Sequence, residues 1–130
     1  MVDIEAAIRA YLAGLQGVTA AFGKRIYASR LLPSGYKPEQ GPACLFAVRG
    51  GGMDFSSKLF SPSVQFRIYA QDEVKTREVA GKLFDAINDT KARGIIYARM
   101  EDGTIPTLMT EPDSNWPYIL IFFKFFLTNE

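Results

Sequence analysis

The residues that could carry out chemistry are few and lie far apart in the sequence. Cys44 is the only cysteine, and the chain has no histidine that could activate the thiol or help to bind a metal. Its apolar segment, ACLFAVRG, favours a buried structural thiol. The acidic pair before Gly103, Glu101 and Asp102, is more typical of a solvated turn than of a metal site. We therefore expect no catalytic site, no metal and no cofactor, and the protein is not predicted to be an enzyme.

A run of three glycines is the other feature that could bind a ligand. Glycine-rich loops cradle phosphates, but this run lacks the G-x-G-x-x-G spacing and leads toward a strand rather than a helix. Apolar side chains follow it, so we interpret residues 50–60 as a mobile loop that docks onto a partner. The alternative is that these side chains fold back onto the sheet. The predicted docking residues are Gly50, Gly51, Gly52, Met53, Phe55, Leu59 and Phe60.

Length and charge limit the remaining function classes. A chain of 130 residues predicts one domain, residues 1–130, with a substantial core. The formal net charge of +1 gives no bulk attraction for nucleic acid. A single cysteine permits no disulfide within the chain, so the sequence is typical of an intracellular protein.

Hydrophobic periodicity predicts two main helices. The first begins after Asp3 as the N-cap and ends at Gly17, and VTAAFG adds one further helical turn. The second begins after Asp72 in the segment DEVKTREVAGKLFDAIND. The segment between Ser29 and Pro42 is a loop because prolines and glycines interrupt it.

Period-two alternation predicts the strands. These are ACLFAVRG, SVQFRIYA, two strands forming a hairpin around Asp102-Gly103, and a long final strand. The short segment KRIYA is also β-prone. The order α-β-β-α-β-β-β predicts an α+β fold, a mostly antiparallel sheet with the two main helices on one face.

The final strand, in NWPYILIFFKFFLT, is unusually aromatic. A membrane span needs about 20 apolar residues, and this segment is shorter and contains Lys124. One face is predicted to form the core against Ile8, Leu12, Leu83 and Phe84: Ile119, Ile121, Phe123, Phe125 and Leu127. The other face has more apolar surface than two helices can cover, so we expect a subunit interface or a solvated surface there. The candidate interface residues are Trp116, Tyr118, Phe122 and Phe126 on this face, together with Arg67 and Tyr69 on the polar face of SVQFRIYA.

Several segments together resemble the tail-terminator or tail-completion proteins of long-tailed bacteriophages. In that family an amphipathic helix and a V-x-x-x-x-G-x-R-I-Y stretch precede a proline-bearing loop. The segment GPACLFAVRGGG resembles the family's next strand and glycine loop, and Tyr69-Ala70 resembles the Y-A step before its second helix. The long loop after Ser29 and the aromatic final strand depart from the pattern. The residues that match the first stretch are Val18, Gly23, Arg25, Ile26 and Tyr27.

The resemblance implies a virion structural protein. Such proteins form a ring, usually of six subunits, at the head-proximal end of the tail tube, where the ring stops tube growth and joins the tail to the head connector. The implied partners are other copies of the chain, the major tail tube protein and the neck proteins. Genome DNA would pass through the ring without sequence-specific binding. The implied location is the virion tail, with host cytoplasm during assembly and no membrane.

Two other function classes remain open. One is a small ligand-binding or regulatory α+β domain with a pocket between sheet and helices. The other is a single-strand nucleic-acid binder whose aromatic side chains stack on bases, which the near-neutral charge disfavours.

Overall fold

The helices lie early and in the middle of the chain. In the computed structural model, which describes residues 3–54, 59–88, 90–92, 95–101 and 103–128, helix α1 spans Ile4–Ala13, α2 spans Gln16–Phe22 and α3 spans Glu73–Ile87. The predicted caps are confirmed: the Asp3 carboxylate accepts from the Ala6 amide at 3.1 Å and the Asp72 carboxylate from the Lys75 amide at 2.8 Å. None of the helices in these ranges is long and apolar enough to cross a bilayer.

The predicted end of the first helix at Gly17 is wrong. Helix α1 ends at Ala13, and Gly14 follows it with a right-handed φ of −87°. Gly17 lies inside α2, where an added Cβ would be 3.2 Å from the Cβ of Ala86. The glycine therefore serves close packing of α2 on α3 rather than a left-handed helix end.

Within the described ranges, seven strands form one sheet, which confirms the predicted α+β class. They are β1 Ile26–Tyr27, β2 Ala43–Asp54, β3 Leu59–Tyr69, β4 Thr90–Ala92, β5 Ile95–Met100, β6 Thr107–Thr110 and β7 Pro117–Thr128. The order is β1-β2-β3-β7-β5-β4, and β6 also pairs with β7. The β1–β2 pair is parallel and the other pairs of this order are antiparallel.

The hairpin predicted around Asp102-Gly103 is wrong, because β5 and β6 do not pair with each other. Both run antiparallel along the same edge of β7. The Glu101 amide donates to the Phe122 carbonyl at 2.8 Å, and β6 resumes with Thr107 opposite Leu120. Residues 103–106 therefore do not pair with β7. They connect β5 to β6, which pair with successive segments of β7. Asp102 itself lies outside the described residues.

The predicted core face of β7 is confirmed. Phe123 and Phe125 are fully buried, and the helices contribute Ile8, Leu12 and Leu83 to the same cluster. The rings of Phe66 and Phe123 meet edge to face, with centroids 5.5 Å apart. Helices α1, α2 and α3 pack on this face of the sheet, which we call the helix face. The opposite side is called the far face.

Candidate interaction surfaces

Part of the far face is covered by the chain itself. A second apolar cluster there contains Tyr36, from the loop between β1 and β2, together with Tyr69 and Tyr118 from the sheet. The Tyr36 hydroxyl donates to the Gly41 carbonyl at 2.7 Å, and its ring lies 6.1 Å from that of Trp116. Burial raises the pKa of Tyr36 to about 12. Hydrophobic periodicity does not reveal this cover, because the loop that provides it is aperiodic.

Arg25, which precedes β1, binds the backbone at the far end of this covering loop, just before β2. Its Nε donates to the Pro42 carbonyl at 2.8 Å. Gly41 has a φ of +125°, and an added Cβ there would lie 2.4 Å from the Arg25 Nη2. Arg25 therefore links the start of the loop to the backbone at its end. The φ of Gly41 favours glycine, and a side chain there would also have to displace the Arg25 guanidinium.

The six predicted subunit-interface residues are not equally available. Tyr69 is 1% exposed and Tyr118 is 6% exposed, so both already belong to the second cluster. The Tyr69 hydroxyl donates to the Glu111 carboxylate. The pKa of Tyr69 is raised, mainly because the side chain is buried and secondly because of this hydrogen bond. Arg67 lies 3.8 Å from the same carboxylate. The side chains that stay half-exposed are Arg67, Trp116, Phe122 and Phe126.

Cations lie over two aromatic rings of the far face. The guanidinium of Arg49 lies 4.4 Å from the Phe122 ring centroid, and that of Arg67 lies 5.2 Å from the Tyr118 centroid. Phe126 lies against Tyr97 with centroids 6.2 Å apart. Arginine stems and cation–π contacts thus provide some of the cover that the sequence analysis assigned to a partner.

The glycine run lies in a strand, so the predicted mobile loop is wrong for residues 50–54 and 59–60, while its residues 55–58 lie outside the described residues. Strand β2 continues to Asp54 and β3 begins at Leu59, with a register shift between Val48 and Gly51. Gly51 has a φ of +131°, and an added Cβ would lie 2.4 Å from the Ser61 carbonyl oxygen. The glycines therefore permit a β-bulge and a close approach of two strands.

The predicted docking residues divide along this hairpin. Phe60 is 6% exposed and belongs to the core, as the fold-back alternative anticipated. Gly50, Gly51 and Gly52 are exposed, and Leu59 is half-buried. The side chain of Met53 and the whole of Phe55 lie outside the described residues. The docking role stays a prediction for the exposed part of the hairpin.

An apolar groove opens on the helix face between α3 and the β6–β7 pair. Its volume is about 620 Å³, with Arg77 and Asp85 as charged groups. No local sequence pattern indicates this groove, because its walls come from segments far apart in the chain. Its apolar lining consists of Ala80, Gly81, Phe84, Met100, Pro106, Leu108, Ile119 and Ile121.

The single thiol is placed as a structural group. Cys44 is fully buried in β2, and desolvation raises its pKa. The protonated thiol is a poor nucleophile and a poor metal ligand. Within the described ranges, no three acidic or thiol side chains come together in a way that could hold a metal ion.

Comparison with solved structures identifies the same fold in a chain of the virion of a native gene transfer agent particle. The two chains superpose with a TM-score of 0.67 and share 13% sequence identity. The match covers 97% of this chain and 95% of that chain. At this identity the likeness establishes a common fold. No protein-family model matches the sequence, and no curated protein matches it.

Proposed function

We propose that the protein is a structural component of a phage-like virion, and that it forms the ring that terminates the tail tube. The observation that carries the proposal is the fold shared with a gene transfer agent virion chain over nearly the full length of both chains. The segments that resemble tail-terminator proteins narrow this structural role to the head-proximal end of the tail.

The surface of the chain suits assembly better than catalysis. Large apolar side chains stay exposed at several places, including Leu31 at 78% and Ile105 at 74%. Half-exposed aromatic side chains on the far face add to this surface. Apolar surface of this kind is buried when subunits associate, and a closed head-to-tail ring leaves no unsatisfied end.

In this role the ring acts through the two surfaces that it presents, one on each side. One side of the ring docks on the last layer of tube protein and prevents another layer from adding. The other side is presented to the head connector, and DNA passes through the centre. The proposed partners are copies of the same chain, six by the family resemblance, together with the tail tube protein and the neck proteins.

The test combines particle mass with tube capping. Light scattering or native mass spectrometry is expected to give a ring several times the 14.5 kDa chain mass. Addition of the purified protein to its polymerising tube protein is expected to shorten the tubes and to place the protein at one tube end in electron micrographs. A protein that stays monomeric with tube protein present, and leaves tube length unchanged, would overturn the proposal.

The groove between α3 and β6 favours a second candidate, a small ligand-binding domain. Its volume of about 620 Å³ falls in the usual range for ligand pockets. Binding of an apolar ligand by a monomer, with chemical-shift changes at Phe84 and Leu108, would support this candidate. Assembly into rings without such binding would favour the structural role.

A further inference from the structure

Strands β1 and β6 lie on opposite edges of the sheet, and one row of paired residues runs across the sheet from one to the other. We infer that β6 of one copy pairs antiparallel with β1 of the next, so that the sheet continues from subunit to subunit. This inference rests on the proposed ring and specifies the contact that closes it. Strand β6 comprises Thr107–Thr110, and β1 comprises Ile26–Tyr27.

The register places β1 and β6 at the two ends of one row of paired residues. Ile26 pairs with Cys44, Cys44 with Ile68, and Ile68 with Ile119. Ile119 in turn pairs with Leu108. Because the β1–β2 pair is parallel and the other three pairs are antiparallel, β1 and β6 run in opposite directions. A copy that brings its β1 beside β6 therefore forms an antiparallel pair.

Both edges have backbone groups that point away from the sheet. The Glu111 amide donates to the Trp116 carbonyl at 2.9 Å, so the alternation of an antiparallel ladder turns the amides of Thr110 and Leu108 outward. On β1 the Arg25 carbonyl accepts from the Cys44 amide at 2.9 Å, which turns the amide and carbonyl of Ile26 outward. Within the described part of the chain, no strand pairs with the outer edge of β6. Unpaired edges of this kind are templates for another strand.

The charges beside the two edges are complementary. Lys24 precedes β1 and is exposed, and Asp113 follows β6 and is also exposed, whereas the carboxylate of Glu111 is already engaged by Tyr69 and Arg67. In an antiparallel pair, the residues before one strand lie beside the residues after the other. In the register that pairs Ile26 with Thr110, whose backbone groups both point outward, Lys24 of one copy lies opposite Pro112 of its neighbour, next to Asp113. Opposite charges at the rim of an interface speed association and set its register.

Three of the four large apolar side chains that are exposed in the described residues lie close in sequence to these two strands. Ile105, at 74% exposure, precedes β6, Met109, at 40% exposure, lies within it, and Leu31, at 78% exposure, lies in the loop after β1. The apolar groove between α3 and β6 opens beside the same edge. A neighbouring β1 would bring its α2 to the helix face beside this groove. The helical layer would then continue together with the sheet.

The first experiment exchanges charges between the two edges. Lys24→Glu or Asp113→Lys alone places like charges together, and we expect each variant to raise the apparent dissociation constant of the ring about tenfold. An equimolar mixture of the two variants is expected to assemble again. In the mixed ring the two reversed charges attract each other at one contact, and the native Lys24 meets the native Asp113 at the next. If the subunits instead met through β6 and β6, or through another surface, mixing the two variants would not restore assembly.

The second experiment removes one outward-facing amide. Thr110→Pro deletes the amide on the free edge without removing a bond to β7, whereas Thr110→Val keeps the amide and a β-branched side chain. We expect the proline variant to lose rings and the valine variant to keep them, at equal melting temperature. If the proline variant fails to fold, the charge exchange decides the matter.

The outcomes separate this contact from the proposed function. Wild-type rings that neither the charge reversals nor Thr110→Pro weakens would overturn the β6–β1 contact and leave the ring proposal standing. A wild-type protein that stays monomeric with tube protein present would overturn both. Loss of assembly in the single charge variants and its return on mixing would establish the contact.

Discussion

Arg49 holds its guanidinium 4.4 Å from the ring centroid of Phe122, so a cation from β2 covers an aromatic ring on β7, across the intervening strand β3. The contact shields part of the aromatic far face of β7 from solvent without a partner subunit. The covering loop hides one end of that face, and the arginines hide part of the remainder.

Removal of the cation should destabilise the chain modestly. Arg49→Gln keeps much of the side-chain stem and loses the charge, so we expect a loss of about 0.5–1 kcal/mol in the free energy of unfolding. Arg9→Gln, on the exposed side of α1, is the control and should change stability by less. Urea denaturation of the monomer measures both. Equal effects of the two variants would contradict a role for the ring contact.

Truncation of the core face of β7 should have a far larger effect than truncation of its far face. Phe123 is fully buried against Phe66 and Phe84, so Phe123→Ala should lower the free energy of unfolding by roughly 3–5 kcal/mol. Phe126→Ala removes the same atoms from a half-buried site on the same strand and should cost less. Chemical denaturation compares them, and similar costs would show that the two faces are packed alike.

Replacement by alanine should change the stability of the protein in opposite directions at Gly51 and at Gly81. Gly51→Ala introduces a side chain at a φ of +131° and against the Ser61 carbonyl, so it should destabilise the hairpin. Gly81→Ala adds a methyl group at an exposed position of α3 with no neighbour within 4 Å. It should stabilise the protein by about 0.5–1 kcal/mol. Thermal melting of the two variants tests the pair, and stabilisation by both would contradict the bulge geometry.

Alkaline pH should loosen the covering loop. Burial raises the pKa of Tyr36 to about 12 from its ordinary value of 10.0, so the folded state favours the protonated hydroxyl. The resulting stability is fully present below the unfolded pKa and is lost as pH rises from about 10 toward 12. Burial also raises the pKa of Tyr69, so both tyrosines act in the same direction.

Tyr36→Phe isolates this effect. The variant cannot ionise at that position, so its stability should fall less steeply between about pH 10 and pH 12 than that of the wild type. It also loses the hydrogen bond to Gly41, so it should be somewhat less stable near neutral pH. Denaturation curves across this pH range compare the slopes. Identical slopes would show that Tyr36 does not contribute to the pH dependence.

Burial along single elements could be predicted from the sequence, whereas pairing between elements could not. The alternation in β7 identified Phe123 and Phe125 as core, and the caps Asp3 and Asp72 marked two helix starts. The hairpin prediction at Asp102-Gly103 was wrong because a turn signal is local. It does not reveal that β7 offers its whole edge to both β5 and β6.

The candidate surfaces show the same division. The sequence indicated surplus aromatic surface on β7, because the two faces of a strand follow from a period of two. It could not indicate that Tyr36 covers one end of that surface, or that Arg49 covers Phe122, since the loop is aperiodic and both contacts are distant in sequence.

The fold class, the core face of each main strand and the scarcity of groups able to perform chemistry could all be predicted without a structure. These follow from composition and from patterns that each element carries alone. The three-dimensional arrangement was needed to show that Gly51 lies in a β-bulge rather than in a mobile loop, and that Ile26 and Leu108 stand at the two ends of one row of paired residues. Register and edge positions arise from contacts between distant segments, and no local pattern encodes them.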